Sequence, residues 1–160
     1  KRNNLVKIAT HKIIACMDSD DIYLPEWLSY AIYEMKSGNY SCVGSNQMLF
    51  LYPHHNFEAH AIRCESKRQI HEACMLFTKK HWRPMGGFKN SSQGEGSKMA
   101  DFNEDNVGLL EIDKCMCCIC HSENTFPKDM FMKFSEDVVV GAKLISDILE
   151  IDNDYVLIDT

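Results

Sequence analysis

Ala15-Cys16-Met17-Asp18-Ser19-Asp20-Asp21-Ile22-Tyr23-Leu24-Pro25-Glu26-Trp27 is the stretch on which the reading of this chain turns. An apolar run, Ile13 to Met17, stops at three carboxylates, Asp18, Asp20 and Asp21. The pattern reads as a buried strand that ends in an acidic turn and is followed by a helix. Acids packed this closely repel one another and favour protonation unless a cation sits among them. Asp18 and Asp20 are two residues apart, so on an extended turn their side chains converge on one side. A hard divalent ion such as Mg or Mn prefers such oxygen ligands, and it keeps open positions for phosphate oxygens. Asp21 reads as a cap for the helix that follows.

Outward from this turn, Pro25 and Glu26 suit the first turn of a helix. Trp27, Leu28, Ala31, Ile32 and Met35 then share one helical face, and Gly38-Asn39 ends it. Upstream, Leu5 to Ala9 closes a short helix. Lys12 to Met17 is continuous rather than alternating, as in a strand covered on both faces. Downstream, Tyr40 to Tyr52 predicts one or two strands and Ile70 to Thr78 another. Gly86-Gly87-Phe88 is a tight turn, and the polar, Gly-rich run from Lys89 to Gly96 is a loop. Ser97 to Leu110 predicts a helix and Glu111 to His121 a strand. Ser135 to Leu149 predicts a further helix and Tyr155 to Ile158 a last strand. Alternating strands and helices imply an α/β fold, a mostly parallel sheet flanked by helices.

The chain has 160 residues, enough for one domain with its own core. Its net charge of −6 argues against a broad grip on nucleic acid or anionic membrane. A metal can still invert the charge locally and admit an anionic ligand. No apolar run approaches the roughly 18 residues of a membrane span. Lys1-Arg2-Asn3-Asn4 is not followed by the apolar segment of a signal peptide. The eight cysteines are scattered or lie inside apolar runs, which fits reduced thiols in an intracellular, cytoplasmic compartment, with peripheral membrane contact left open. The abrupt, charged start without Met reads as a fragment of a longer protein.

Four landmarks in order give the chain its resemblance to the family 2 glycosyltransferases of GT-A fold. They are Arg2-Asn3; the stretch Met17 to Trp27 with its Asp-x-Asp and trailing proline; Phe77 to Phe88, an apolar strand, short helix and Gly-Gly-Phe; and Gly94-Glu95-Gly96. The resemblance covers roughly residues 1 to 126. It implies the C-terminal two-thirds of a GT-A domain over residues 1–128, with a helix and strand extension over 129–160. It further implies metal-dependent, inverting transfer of a hexose-type sugar from a nucleotide-diphosphate donor to a hydroxyl of a glycan, protein or small-molecule acceptor. Carried over residue by residue, Asp20 is the direct ligand of Mn or Mg. Asp18 contacts the ribose or the metal, and His121 is a third ligand. Arg2, Asp18, Trp82 and Gly87 belong to the donor side. Glu95 is the general base, because inversion needs a carboxylate to take the acceptor's proton.

The chain also departs from that pattern. The nucleotide-binding strand, helix and strand expected before Arg2-Asn3 are absent from the sequence. The base position holds a lone Glu95 where the family shows Glu-Asp, so Glu104-Asp105 is a second candidate. Two other readings therefore stand beside the enzyme. One is a truncated or degenerate transferase that only binds. The other is a zinc-binding structural protein built on Cys115, Cys117, Cys118 and Cys120. Zinc sites use ligand pairs on turns, whereas these cysteines alternate along a strand, so a strand of small buried hydrophobes accounts for them better. Trp82 and Phe88 also suit core packing, Lys79, Lys80 and Arg83 a solvated helix face, and His54, His55 and His60 loops.

Overall fold

The computed structural model describes residues 1–64, 66, 69–91, 94–101, 104–124 and 128–134. The expected helix at Ser135–Leu149 and strand at Tyr155–Ile158 lie outside the described residues. Four α-helices are described: α1 (Arg2–Ile8), α2 (Trp27–Ser37), α3 (Lys79–Trp82) and α4 (Ser97–Asp101). Eight strands accompany them: β1 (Ile13–Ala15), β2 (Ile22–Tyr23), β3 (Cys42–Gly44), β4 (Gln47–Tyr52), β5 (Glu58–Arg63), β6 (Leu76–Thr78), β7 (Val107–Leu109) and β8 (Met116–Ile119).

The fold is α/β, with mixed rather than mostly parallel sheets. One sheet runs β1-β6-β3-β7 and the other β2-β8-β4-β5. The parallel pairs are β3 with β7 and β4 with β8, each separated by a long stretch of chain. The pairs β1–β6, β3–β6, β2–β8 and β4–β5 are antiparallel. For β4–β5 the cause is local. Only Pro53 to Phe57 separates the two strands, too few residues for a parallel crossover. Asn56 and Phe57 take the positive φ angles, 54° and 61°, that reverse the chain there.

The first sheet separates two cores, because successive side chains on its strands point to opposite faces. Val43 and Leu76 join a larger core with Trp27, Ala31 and Met35 of α2 and with Phe50, Cys115 and Cys117. Cys42 and Phe77 join a smaller core with Val6 of α1, Phe88, and Met99 and Ala100 of α4. The predicted face of α2 is therefore the buried one. The helix ends where expected, the Gly38 amide donating to the Glu34 carbonyl, the Asn39 amide to the Lys36 carbonyl, and Asn39 turning to a φ of 52°.

Several sequence expectations give way. The first strand is shorter than Lys12–Met17 and lies at a sheet edge, with Ile13 and Ile14 half-buried and Ala15 exposed. Pro25 and Glu26 form a turn, and α2 starts at Trp27 with no side-chain cap. Glu72–Cys74 is a 3-10 turn inside the expected strand Ile70–Thr78. Ser97–Leu110 splits into α4, a 3-10 turn at Glu104–Asn106 and β7. Val107-Gly108-Leu109 is a strand because it pairs in parallel with Cys42-Val43-Gly44. That partner is distant in sequence and leaves no local periodicity. His60 is not a loop residue but lies buried in β5 beside Glu58. The 3-10 helix Asp129–Phe134 docks through Phe131, which stacks on Phe50 at a centroid distance of 4.9 Å.

Candidate active site

The acidic turn leaves the end of β1 and is fixed at once by backbone bonds. The Cys16 amide donates to the Met75 carbonyl at 2.9 Å. The Asp18 amide donates to the Tyr23 hydroxyl at 2.8 Å, and that hydroxyl donates to the Ala73 carbonyl at 2.9 Å. Burial raises the Tyr23 pKa, so the phenol keeps the proton this bridge needs.

Three acids of one turn have three different partners. Asp18 receives Arg2, whose Nη2 lies 3.2 Å from Oδ1 and 3.4 Å from Oδ2. Asp20 faces His121, Nε2 to Oδ2 at 3.4 Å, with Asn124 Nδ2 at 3.5 Å from the same oxygen. Asp21 does not cap α2. Its Oδ1 accepts from the Ile119 amide at 3.2 Å and its Oδ2 from the Cys118 thiol at 3.3 Å, so it ties the turn to β8. Burial raises the Asp21 pKa, while the Cys118 thiol, Lys128 and the Ile119 amide pull it back.

Arg2 joins the two ends of the site. Its Nε donates to Glu95 Oε2 at 3.1 Å while its Nη2 holds Asp18. Burial works against the guanidinium charge, and the attraction of Asp18 and the smaller effects of Cys16 and Glu95 outweigh it, so the Arg2 pKa lies above its ordinary value. The neighbouring residue fixes where Arg2 sits. Asn3 Oδ1 accepts from the Phe88 amide at 2.8 Å and from Trp82 Nε1 at 3.3 Å, and its Nδ2 donates to the Phe88 carbonyl at 2.9 Å. Gly87 makes this possible. Its φ is +84°, and a Cβ there would lie 2.4 Å from Asn3 Oδ1. Trp82 and Gly87 thus hold the Gly-Gly-Phe turn to α1, and Phe88 packs edge-on to Phe77 at 5.7 Å. Lys79 donates to the Ala9 carbonyl just past α1.

The expected residues therefore assemble unevenly. Arg2, Asp18 and Glu95 are in direct contact, and Asp20 and His121 form a second pair. Among the described residues, no three His, Cys, Asp or Glu side chains are grouped to hold a metal ion. The His121 Nδ1 accepts from the Glu123 amide at 3.2 Å, and its Nε2 faces both Asn124 Nδ2, at 2.9 Å, and Asp20 Oδ2, at 3.4 Å. Asp105 lies in the 3-10 turn before β7, exposed, and the Glu104 side chain lies outside the described residues. Cys115, Cys117, Cys118 and Cys120 are buried free thiols, as their strand pattern implies.

The sequence reading missed Glu72, whose Oε1 accepts from the Gly96 amide at 2.9 Å, beside Glu95. It also missed buried His81, whose Nε2 donates to the Met99 carbonyl at 2.6 Å and whose Nδ1 meets the Ser41 hydroxyl at 2.7 Å. Glu72 belongs to no local motif, and His81 lies within the Phe77–Phe88 landmark with only its position in a short helical turn to hint at burial.

Residues 1–97 match the family described as Glycosyl transferase family 2. The chain belongs to that family. The match spans Arg2, Asn3, Asp18, Asp20, Gly87 and Glu95, and it ends before His121. No curated protein matches the chain. A glycosyltransferase-type domain acts between a nucleotide-sugar donor and an acceptor. Among the described residues, no helix of this transferase domain is long and apolar enough to cross a membrane.

Proposed function

We propose that the chain carries the catalytic face of an inverting, metal-dependent hexosyltransferase that uses a nucleotide-diphosphate sugar. The observation that supports this best is the single guanidinium of Arg2 shared by Asp18, 16 positions later in the chain, and Glu95, 93 positions later. Glu95 spends only Oε2 on Arg2 among the described residues, and Oε1 is its face for the acceptor. In this reading Glu95 takes the proton of the acceptor hydroxyl as that oxygen bonds the anomeric carbon. The bond from that carbon to the diphosphate oxygen breaks, and its electron pair leaves with the nucleoside diphosphate. Arg2 and Asp18 fix the donor side, and Trp82 and Gly87 hold the turn beneath it.

Asp20 has the chemistry to hold Mg or Mn, which commonly bind proteins through one or two carboxylates and take the rest from water and phosphate. His121 is the second candidate, through Nε2, on condition that this nitrogen gives up its 2.9 Å contact with Asn124 Nδ2. When bound, such an ion offsets charge developing on the leaving diphosphate. A cytoplasmic setting is part of the proposal and draws on the eight free thiols.

The test is turnover of a panel of nucleotide-diphosphate hexoses with Mn present. Asp20→Ala should abolish transfer together with Mn-dependent donor binding, and unchanged activity in that variant would sink the reading. A binding-only role predicts instead that donor stabilises the fold in thermal shift without turnover, and that Glu95→Gln changes nothing.

A further inference from the structure

The turn His71-Glu72-Ala73-Cys74 belongs to none of the sequence landmarks, yet both halves of the site are tied to it. Its N-terminal end is itself fixed, because His71 Nδ1 accepts from the Ala73 amide at 3.1 Å and the His71 amide donates to the Ser45 carbonyl at 2.8 Å. Ala73 and Cys74 are buried. From this base the Ala73 carbonyl holds the Tyr23 hydroxyl, which holds the Asp18 amide. From the next residue, Glu72 Oε1 holds the Gly96 amide. The loop comes close enough for this only because residue 96 lacks a side chain. A Cβ there would lie 2.5 Å from Glu72 Cγ and 3.0 Å from Met75 Cε. The other end of the loop closes on itself, the Lys89 amide donating to the Glu95 carbonyl at 2.9 Å.

We infer that Glu72 and Tyr23 are positioning residues that set the separation of Glu95 and Asp18 from one rigid post, the 72–74 turn. Arg2 alone cannot do this. A flexible side chain between two acids follows them as they move, whereas two short links to adjacent residues of one buried turn fix both. Glu72 acts through the Gly96 amide on Glu95, and Tyr23 acts through the Asp18 amide on Asp18. The inference rests on the proposed role of Glu95, but its first readout does not.

That readout is amide hydrogen exchange of the full chain by NMR, without donor or metal. Glu72→Ala should speed exchange at Gly96 and Lys89 by tenfold or more relative to amides of β4 and leave Asp18 unchanged. Tyr23→Phe, which keeps the ring against Trp27, should do the reverse. Glu72→Gln keeps an acceptor oxygen and should restore protection at Gly96. Unchanged exchange at Gly96 in Glu72→Ala, or equal acceleration across the whole chain, would overturn the assignment. The second readout is kinetic. Misplacing a reacting group by about 1 Å can cost on the order of a hundredfold in rate. Glu72→Ala should therefore lower kcat with the donor KM unchanged, and Glu72→Gln should recover it. Loss of Gly96 protection with kcat unchanged in both Glu72→Ala and Glu95→Gln would count against the base role of Glu95 and leave the post in place.

Discussion

Asp18 and Asp21 leave the same turn three residues apart and end in opposite surroundings. Asp18 stays partly open to solvent, and the half-buried guanidinium of Arg2 neutralises it. Asp21 is turned inward, and a backbone amide and a thiol of β8 satisfy it. The first arrangement is the more open to rearrangement by a ligand, because solvent reaches both partners of the pair and can take over when it opens. The second is less so, since withdrawing a buried acceptor strands a buried donor. Identical side chains in one acidic cluster are thus divided between an ion pair to α1 and anchorage on β8 by which way the chain carries them.

The sharpest way to break this contrast is to exchange the expected effects. Arg2→Ala should lower turnover by on the order of a hundredfold, since it unties both Asp18 and Glu95, with only a small change in melting temperature. Asp21→Ala should do the opposite, costing about 1–3 kcal/mol of stability through the orphaned Ile119 amide while activity per folded molecule holds within a few-fold. Denaturant titration and initial rates on both variants check the pair, and a reversal of the two patterns would dissolve the distinction.

Asn3→Ala should fall between them. It removes three hydrogen bonds at the Gly-Gly-Phe turn. At about 1 kcal/mol each, the loss should appear in both stability and rate, because Arg2 is carried on the same helical turn.

Asp21 also makes a signed pH prediction. Its folded pKa is raised above 3.8, so the folded chain binds that proton more tightly than the unfolded chain does. The contribution is full below pH 3.8 and is lost as pH rises through the folded value. Relative to wild type, Asp21→Asn should therefore gain stability across that window, and melting curves from pH 3 to 7 would show a flat difference if burial did not act on this group.

His81 should give the smallest effect, of opposite sign. Burial holds its pKa below 6.5, with the Met99 carbonyl pulling it back. Its contribution is full above pH 6.5 and is lost as pH falls from there through the depressed value. His81→Gln should flatten that part of the stability profile.

The parts of this picture legible in the sequence are those with local signals. The acid cluster, Gly-Gly-Phe and Glu95 announce themselves by composition and order, and Arg2, Asp18 and Glu95 do meet. The helical face of Trp27, Ala31 and Met35 follows from spacing alone, as does its end at Gly38-Asn39. What escaped reading depends on partners far along the chain. Val107 to Leu109 becomes a strand only beside β3. Asp21 looks like a helix cap until β8 arrives to take both its oxygens. Glu72 is an unremarked acid before an apolar run, and only the folded loop shows that the Gly96 amide lands on it. The antiparallel pairs β1–β6, β3–β6 and β2–β8 likewise join strands far apart in the chain, which motif order does not carry.

The Asn3 clasp has a consequence for the order in which the protein assembles. Its partners, Trp82 and Phe88, lie 79 and 85 residues later in the chain. On the ribosome, α1 is made before those residues and cannot dock until they have emerged, and closing so long a loop is entropically slow. The helix is therefore expected to lock late, after the rate-limiting barrier of folding. If so, Asn3→Ala should steepen the unfolding rate and leave the refolding rate nearly unchanged, which stopped-flow measurement of both limbs would reveal. A helix made before its partners would then dock after them.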